Sequence, residues 1–179
     1  MVKEILASKT IKIPENVEVQ IEGKKVSVKG PLGVIKRDFS HAILTIKKNN
    51  DELCVEVPWP DKKGAASVGT ISSLIKNMII GVVKGFTYKL KIVFAHFPMS
   101  VKVGDKEVII ENFGGERMPR RAKIQGDVKV TIVGDDVILQ GIDVMDVSQT
   151  AANIQQASHI KKKDPRVFLD GVYIFERKE

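Results

Sequence analysis

The chain carries a single cysteine, Cys54, and a single tryptophan in 179 residues. One thiol excludes a disulfide framework and a cysteine-based zinc site. Cys54 stands in the alternating stretch LCVEV, which suits an inert strand thiol better than a nucleophile. Aromatic residues make up only 6% of the chain, and the three histidines, His41, His96 and His159, lie in separate segments. That scatter offers no histidine-centred metal or catalytic constellation. A glycine-rich phosphate loop, HExxH and G-x-S-x-G are all missing. The first residues, MVKEILASKT, lack the apolar centre of a signal peptide. No run reads as the ~20 apolar residues that cross a bilayer. Together these absences predict a soluble intracellular protein, with nothing in the sequence that supports an active site, a metal site or a membrane partner.

What is present is apolar residue and positive charge. At 43% hydrophobic, the chain is long enough to bury a real core. Its net charge of +7 and pI of about 9.4 favour a polyanionic partner, nucleic acid ahead of a membrane surface.

Periodicity divides the chain into short strands and two helices. VEVQIEGKKVSV alternates around Glu22-Gly23, a hairpin signal. GVIKRDF and AILTIKKNNDELCVEV continue the pattern, with a turn at Asn49, Asn50 and Asp51. After Pro60 and Asp61 the period changes. Val68, Ile71, Ile75, Met78, Ile79 and Val82 recur at spacings of three and four, one face of a helix that Gly85 can stop. Strand character returns at FTYKLKIVF and runs through VKVGDKEVII and VKVTIVGDDVILQGI. Asp146-x-x-Gln149 then reads as a capping box for a second helix, with Val147, Ala151 and Ile154 facing inward.

The order repeats. Gly23-x9-Gly33 in the first half answers to Gly104-x9-Gly114 in the second, with Lys25 and Lys106 two residues after the first glycine of each. The Asn50-Asp51 turn corresponds to Gly134-Asp135-Asp136, and Thr70 and Thr150 open matching helical segments. The expected fold is α+β: two duplicated small domains, 1–82 and 83–179, each a mostly antiparallel sheet system packed with one helix.

Acidic residues gather between Asp127 and Asp146, at turn and helix-start positions that suit a solvated face better than a metal site. The remaining chemistry lies in basic loops. FGGERMPRRAK holds Gly114, Gly115, Arg117, Arg120, Arg121 and Lys123. Glycines tolerate positive φ and let backbone approach closely, and guanidinium forks bind phosphate in pairs of bonds. KGFTYKLK adds Lys84, Lys89 and Lys91, with Phe86 and Tyr88 more plausibly packed in the sheet. HIKKKDPRVFLDGVYIFERKE concentrates Lys161, Lys162, Lys163 and Arg166, with Arg177 and Lys178 at its end. Here the second helix is expected to end near Ile160, the chain to turn at Asp164-Pro165, and Asp170-Gly171 to close a tight two-residue hairpin that pins the basic run.

Gln156 to Arg177, QASHIKKKDPRVFLDGVYIFER, resembles the C-terminal signature of the large-subunit ribosomal protein L-six family in its archaeal and eukaryotic branch, called L-nine in eukaryotes. The matching positions are Gln156, Ile160, Lys163, Arg166, Phe168, Asp170, Gly171, Val172, Tyr173 and Arg177. GFTYKLKIVFAHFP resembles the family's interdomain stretch, and the Pro14 region and the duplicated layout agree along the whole chain. The source leans to the eukaryotic side.

The resemblance implies two duplicated domains, each of two small sheets and one helix. It implies a structural constituent of the large ribosomal subunit in the cytoplasm, with no catalytic activity and no cofactor. The implied partners are large-subunit rRNA near the factor-binding region and sarcin–ricin loop, neighbouring ribosomal proteins near the stalk base, and translational GTPases close by. A free-standing RNA-binding regulatory module is the alternative. The rRNA-binding candidates are Gly114, Gly115, Arg117, Arg120, Arg121, Lys123, Lys161, Lys162, Lys163, Arg166, Arg177 and Lys178, with the C-terminal half as the main anchor.

Overall fold

The computed structural model describes residues 6–50, 52–95, 97–161, 164 and 166–178. The chain divides between Lys84 and Gly85 into two compact units. In the first, β1 (Leu6–Lys12), β6 (Glu52–Pro58) and β5 (Thr45–Asn49) form one antiparallel sheet in that order. A second sheet runs β2 (Glu18–Glu22), β3 (Lys25–Gly30), β4 (Gly33–Asp38). Alternation explains both: Val26, Val28, Leu53 and Val55 are completely buried or nearly so, while their neighbours along the strand face outward.

Helix α1 (Lys62–Val83) begins where Asp61, in an extended conformation, accepts a hydrogen bond from Gly64 N at 2.6 Å. Its apolar face, from Val68 to Val82, is buried as the spacing predicts and packs on β1, β3 and β6. Gly85 follows the cap residue Lys84 with φ of +75°, the left-handed stop that glycine supplies. By length and composition α1 is apolar enough to cross a membrane, contrary to the sequence reading. The serines and threonines between its apolar positions hid this, and its buried face is occupied within its own unit.

The second unit repeats the plan. β7 (Phe86–Val93), β12 (Asp136–Gly141) and β11 (Lys129–Val133) answer to β1, β6 and β5. β8 (Ser100–Val103), β9 (Glu107–Glu111) and β10 (Arg120–Lys123) answer to β2, β3 and β4. Gly23 (φ +64°) turns β2 into β3, and Gly104 stands at the matching corner, where its N–H donates to Glu107 O at 2.8 Å. Asn50 (φ +49°) and Gly134 (φ +60°) mark the other shared turn. The architecture is α+β, with every strand pairing among the described residues antiparallel.

Helix α2 (Val144–Ala157) carries Val147, Ala151 and Ile154 fully buried, as expected. Its cap differs from expectation. Asp143, not Asp146, is the capping residue and accepts from Met145 N at 2.9 Å. Asp146 lies in the first turn, where a carboxylate favours the helix macrodipole. The end of β12 comes close to the helix at Gly141, where a Cβ would lie 2.7 Å from Val147 Cγ2.

The C-terminal segment corrects two expectations. Helix α2 ends at Ala157 with Ser158 as cap, short of Ile160. Asp170-Gly171 closes no hairpin. Gly171 opens one long strand, β13 (Gly171–Lys178), which adds to the edge of the larger sheet beside β7 in the order β11-β12-β7-β13. A tight Asp-Gly turn needs both residues at positive φ, and neither is. The competing partners decide: the Asp170 carboxylate accepts from Ala95 N, and Ser158 Oγ accepts from Val172 N at 2.9 Å. The turn at Asp164 does form. Its carbonyl accepts from Val167 N and Phe168 N, and its carboxylate from Arg166 N at 2.9 Å. Lys162, Lys163 and Pro165 lie outside the described residues, as do His96 and Asp51.

Candidate nucleic-acid interface

The loop between β9 and β10 is shaped by three departures from ordinary backbone within four residues. Asn112 has φ of +56°, Gly114 +57° and Gly115 +81°, on either side of the buried Phe113. This single 3₁₀ turn closes through Glu116 N to Phe113 O at 3.0 Å. A Cβ on Gly114 would meet nothing within 4 Å, so this corner is open to approach.

Arg120 organises what surrounds it. Its Nε donates to Glu116 Oε2 at 2.8 Å and its Nη2 to Glu116 Oε1 at 2.6 Å. Its Nη1 donates to Ala157 O at 2.9 Å and to His159 O at 2.8 Å, two carbonyls left over at the end of α2. The guanidinium also lies 4.1 Å from the centre of the Phe113 ring. With these contacts Arg120 joins the 113–120 loop to the chain leaving α2. Four of a guanidinium's five N–H donors point at protein, so the structure makes Arg120 a positioning residue and not the phosphate ligand that a basic cluster suggests. The same pair holds the Glu116 carboxyl below its ordinary range, chiefly through the Arg120 hydrogen bond, with Lys161 adding charge.

The other candidates divide. Gly114 and Lys161 line one small cavity of about 110 Å³, so the structure does bring the two basic segments together. Arg117 is exposed, and no hydrogen bond or ion pair ties its guanidinium among the described residues. Lys123 is exposed at the end of β10, its carbonyl taken by Asn153 Nδ2 at 2.9 Å. Arg121 reaches Glu107 at 3.1 Å but stays 64% exposed, where such a pair is weak. Arg166 is exposed just past the Asp164 turn. Arg177 and Lys178 sit on β13 in another setting: Arg177 lies 5.7 Å from the centre of the Tyr88 ring, and Lys178 pairs with Glu176 at 2.7 Å. Glu176 also takes Lys89 at 2.6 Å, and Lys91 pairs with Asp136 at 2.9 Å. Those basic residues are partly neutralised by their own sheet.

Sequence reasoning missed Glu116, Phe97 and Asp170 as parts of this site. The Glu116-x3-Arg120 spacing was visible, but it suggests a helical pair, and here the pair spans a loop. In the first unit, Lys25, Lys36 and Arg37 line a groove at β2-β3-β4 beside Glu22 and Asp38, a groove of mixed charge. The acidic residues between Asp127 and Asp146 turn, cap or pair locally, and no three metal-capable side chains cluster among the described residues.

A family model described as ribosomal protein L6 matches residues 13–85 and 97–171, one segment in each unit. The chain belongs to the ribosomal protein L6 family. Relatives named large ribosomal subunit protein uL6 match it over nearly its whole length. The Staphylothermus marinus protein is 54% identical over 93% of this chain and 92% of its own. The Methanosphaera stadtmanae protein is 53% identical over 100% and 98%, and that of Methanosarcina mazei 46% over 99% and 99%. These organisms are archaea, whereas the sequence by itself leans to the eukaryotic side. An L6-family chain is a ribosomal protein and not an enzyme, which agrees with the absence of catalytic motifs from the sequence. The two matched segments fall on the two structural repeats, each a pair of sheets with one helix.

Proposed function

We propose that this L6-family chain is a structural constituent of the large ribosomal subunit. In the cytoplasmic ribosome it binds large-subunit rRNA and braces it for translation. The observation that carries the reading, beside family membership, is the Arg120 clamp, which holds the Gly114–Arg117 corner and the Lys161 segment together. Preorganised cations lose less conformational freedom on binding than cations on a loose tail. Arg117 and Lys161 are the leading phosphate ligands, with Lys123 and Arg166 beside them and Lys162 and Lys163 adjoining in sequence. The C-terminal half, residues 83–179, is the main anchor and residues 1–82 a lesser contact, because the first unit's basic groove is diluted by acids. Family resemblance supports the finer placement, near the factor-binding region and sarcin–ricin loop, with ribosomal proteins of the stalk base and translational GTPases as neighbours.

Two measurements test this. In a sucrose gradient the chain should travel with the large subunit; its absence from that peak would overturn the assignment. Bound to deproteinised large-subunit rRNA, the chain should lose roughly 10³-fold in affinity between 50 and 200 mM salt, because each neutralised phosphate releases counterions. Arg117→Ala should lower the slope of log affinity against log salt by about 0.7–0.9. Replacing Lys25 and Lys36 together should cost less affinity than replacing Arg117 and Lys161. The opposite ranking would make residues 1–82 the anchor.

A further inference from the structure

The cavity at the Arg120 clamp has walls that phosphate binding does not use. Phe97, Phe113 and Phe168 line it, together with Gly114, Lys161 and Asp170. Phe113 is 4% exposed and one face of its ring is covered by Arg120, so it is a fixed wall. Phe97 is different. It is 46% exposed, on a loop between β7 and β8, and its ring lies against Gly115, where an added Cβ would be 3.5 Å from Phe97 Cε1. An aromatic side chain left in solvent, in a chain with few aromatics, lies here against a glycine held at φ of +81°.

We infer that this cavity takes one unstacked nucleobase of the rRNA, stacked on Phe97. The inference rests on the rRNA-binding reading above and deepens it. The volume of about 110 Å³ is smaller than the ~150 Å³ that holds a single benzene ring, so the base enters by one edge while its face stacks on the exposed Phe97. Two features favour a base over an apolar side chain of a neighbouring protein. Both acids that line the cavity are engaged, Glu116 by Arg120 and Asp170 by Ala95 N, while Lys161 lines it and Arg117 follows in the same loop. Gly114 leaves open space for the sugar and phosphate attached to such a base. Bases turned out of loops and bulges, stacked on aromatic rings, are the usual means by which proteins recognise folded RNA.

The test uses the full chain and deproteinised large-subunit rRNA. Phe97→Ala should weaken binding by roughly 5- to 100-fold, the range of one base–aromatic stack. It should leave the salt slope unchanged, because no phosphate contact is lost. Phe97→Trp should restore affinity. In an rRNA fragment scanned with single abasic sites, one position should reproduce the loss with the wild-type chain and add nothing to Phe97→Ala. Phe97→Ala binding as tightly as wild type, or a loss that no abasic site reproduces, would overturn the inference. So would rRNA affinity held at wild type with incorporation into subunits reduced, which would make the cavity a protein contact. In those cases a wild-type chain that still binds rRNA with steep salt dependence keeps the rRNA-binding reading intact; a wild-type chain that does not bind rRNA removes both.

Discussion

Arg120→Ala separates a positioning role from a phosphate contact. Truncation removes both carbonyl bonds at the end of α2, the paired bonds to Glu116 and the contact with Phe113. The bond to the partly buried Ala157 carbonyl is charge-assisted and stands for ~1.5 kcal/mol. The His159 carbonyl is exposed and regains water, so ~0.5 kcal/mol suffices there. The ring contact adds ~1 kcal/mol. The Glu116 pair, with Glu116 47% exposed, is screened and contributes ~0.5 kcal/mol. The expected cost is about 3.5 kcal/mol. If the second unit melts as one domain, that lowers its Tm by at least ~10 °C. Calorimetry measures the shift, and amide exchange should show faster opening around Ser158 and in the 113–120 loop. Arg120→Lys should recover only part, since an ammonium cannot make the paired bonds to Glu116. Affinity for rRNA should fall with the salt slope nearly unchanged. A Tm within about 2 °C of wild type, with the salt slope reduced by about 0.7–0.9, would refute the argument and return Arg120 to the phosphate ligands.

Three further predictions concern the same unit. Ser158→Ala leaves the buried Val172 N–H without its acceptor and should cost ~1–3 kcal/mol by denaturant titration; an unchanged midpoint would mean that water replaces the hydroxyl. The Glu116 carboxyl is held below its unfolded value of 4.5 by Arg120, so its stabilising contribution is complete above that value and is lost as pH falls through the lower folded one. Glu116→Gln should therefore flatten the acid limb of the Tm–pH curve, and identical limbs would contradict the pairing. Gly171→Val should be mild, not disruptive as a broken turn would be. Its Cβ meets the ring of the 42% exposed Tyr173 at 2.9 Å, and that ring can swing outward, so a near-native circular dichroism spectrum is expected and a collapsed one would restore the turn.

Local signals determined much of this protein. The helix face from Val68 to Val82 and the inward set Val147, Ala151 and Ile154 were legible because a 3.6-residue period places them on one side whatever they pack against. The repeat was legible because Gly23 and Gly104 recur at matching corners and at the same spacing before their partners at Gly33 and Gly114, although Gly23 takes a positive φ and Gly104 does not. The basic loops were legible as composition. Which cations remain available was not, because that depends on groups distant in sequence. Arg117 and Arg120 look alike in GGERMPRR, yet Arg120 meets carbonyls 37 and 39 positions away and Arg117 does not. Asp170-Gly171 reads as a hairpin turn from its neighbours alone; Ala95, 75 positions earlier, and Ser158 supply the bonds that make it the start of a strand. The capping residue of α2 lies three positions before the expected one, because it is the Asp143 carboxylate that accepts from a first-turn N–H, that of Met145. Periodicity and turn chemistry act within a few residues and are written in the sequence, whereas hydrogen-bond partners, ion pairing and cavities are decided by segments that meet only once the sheets have formed.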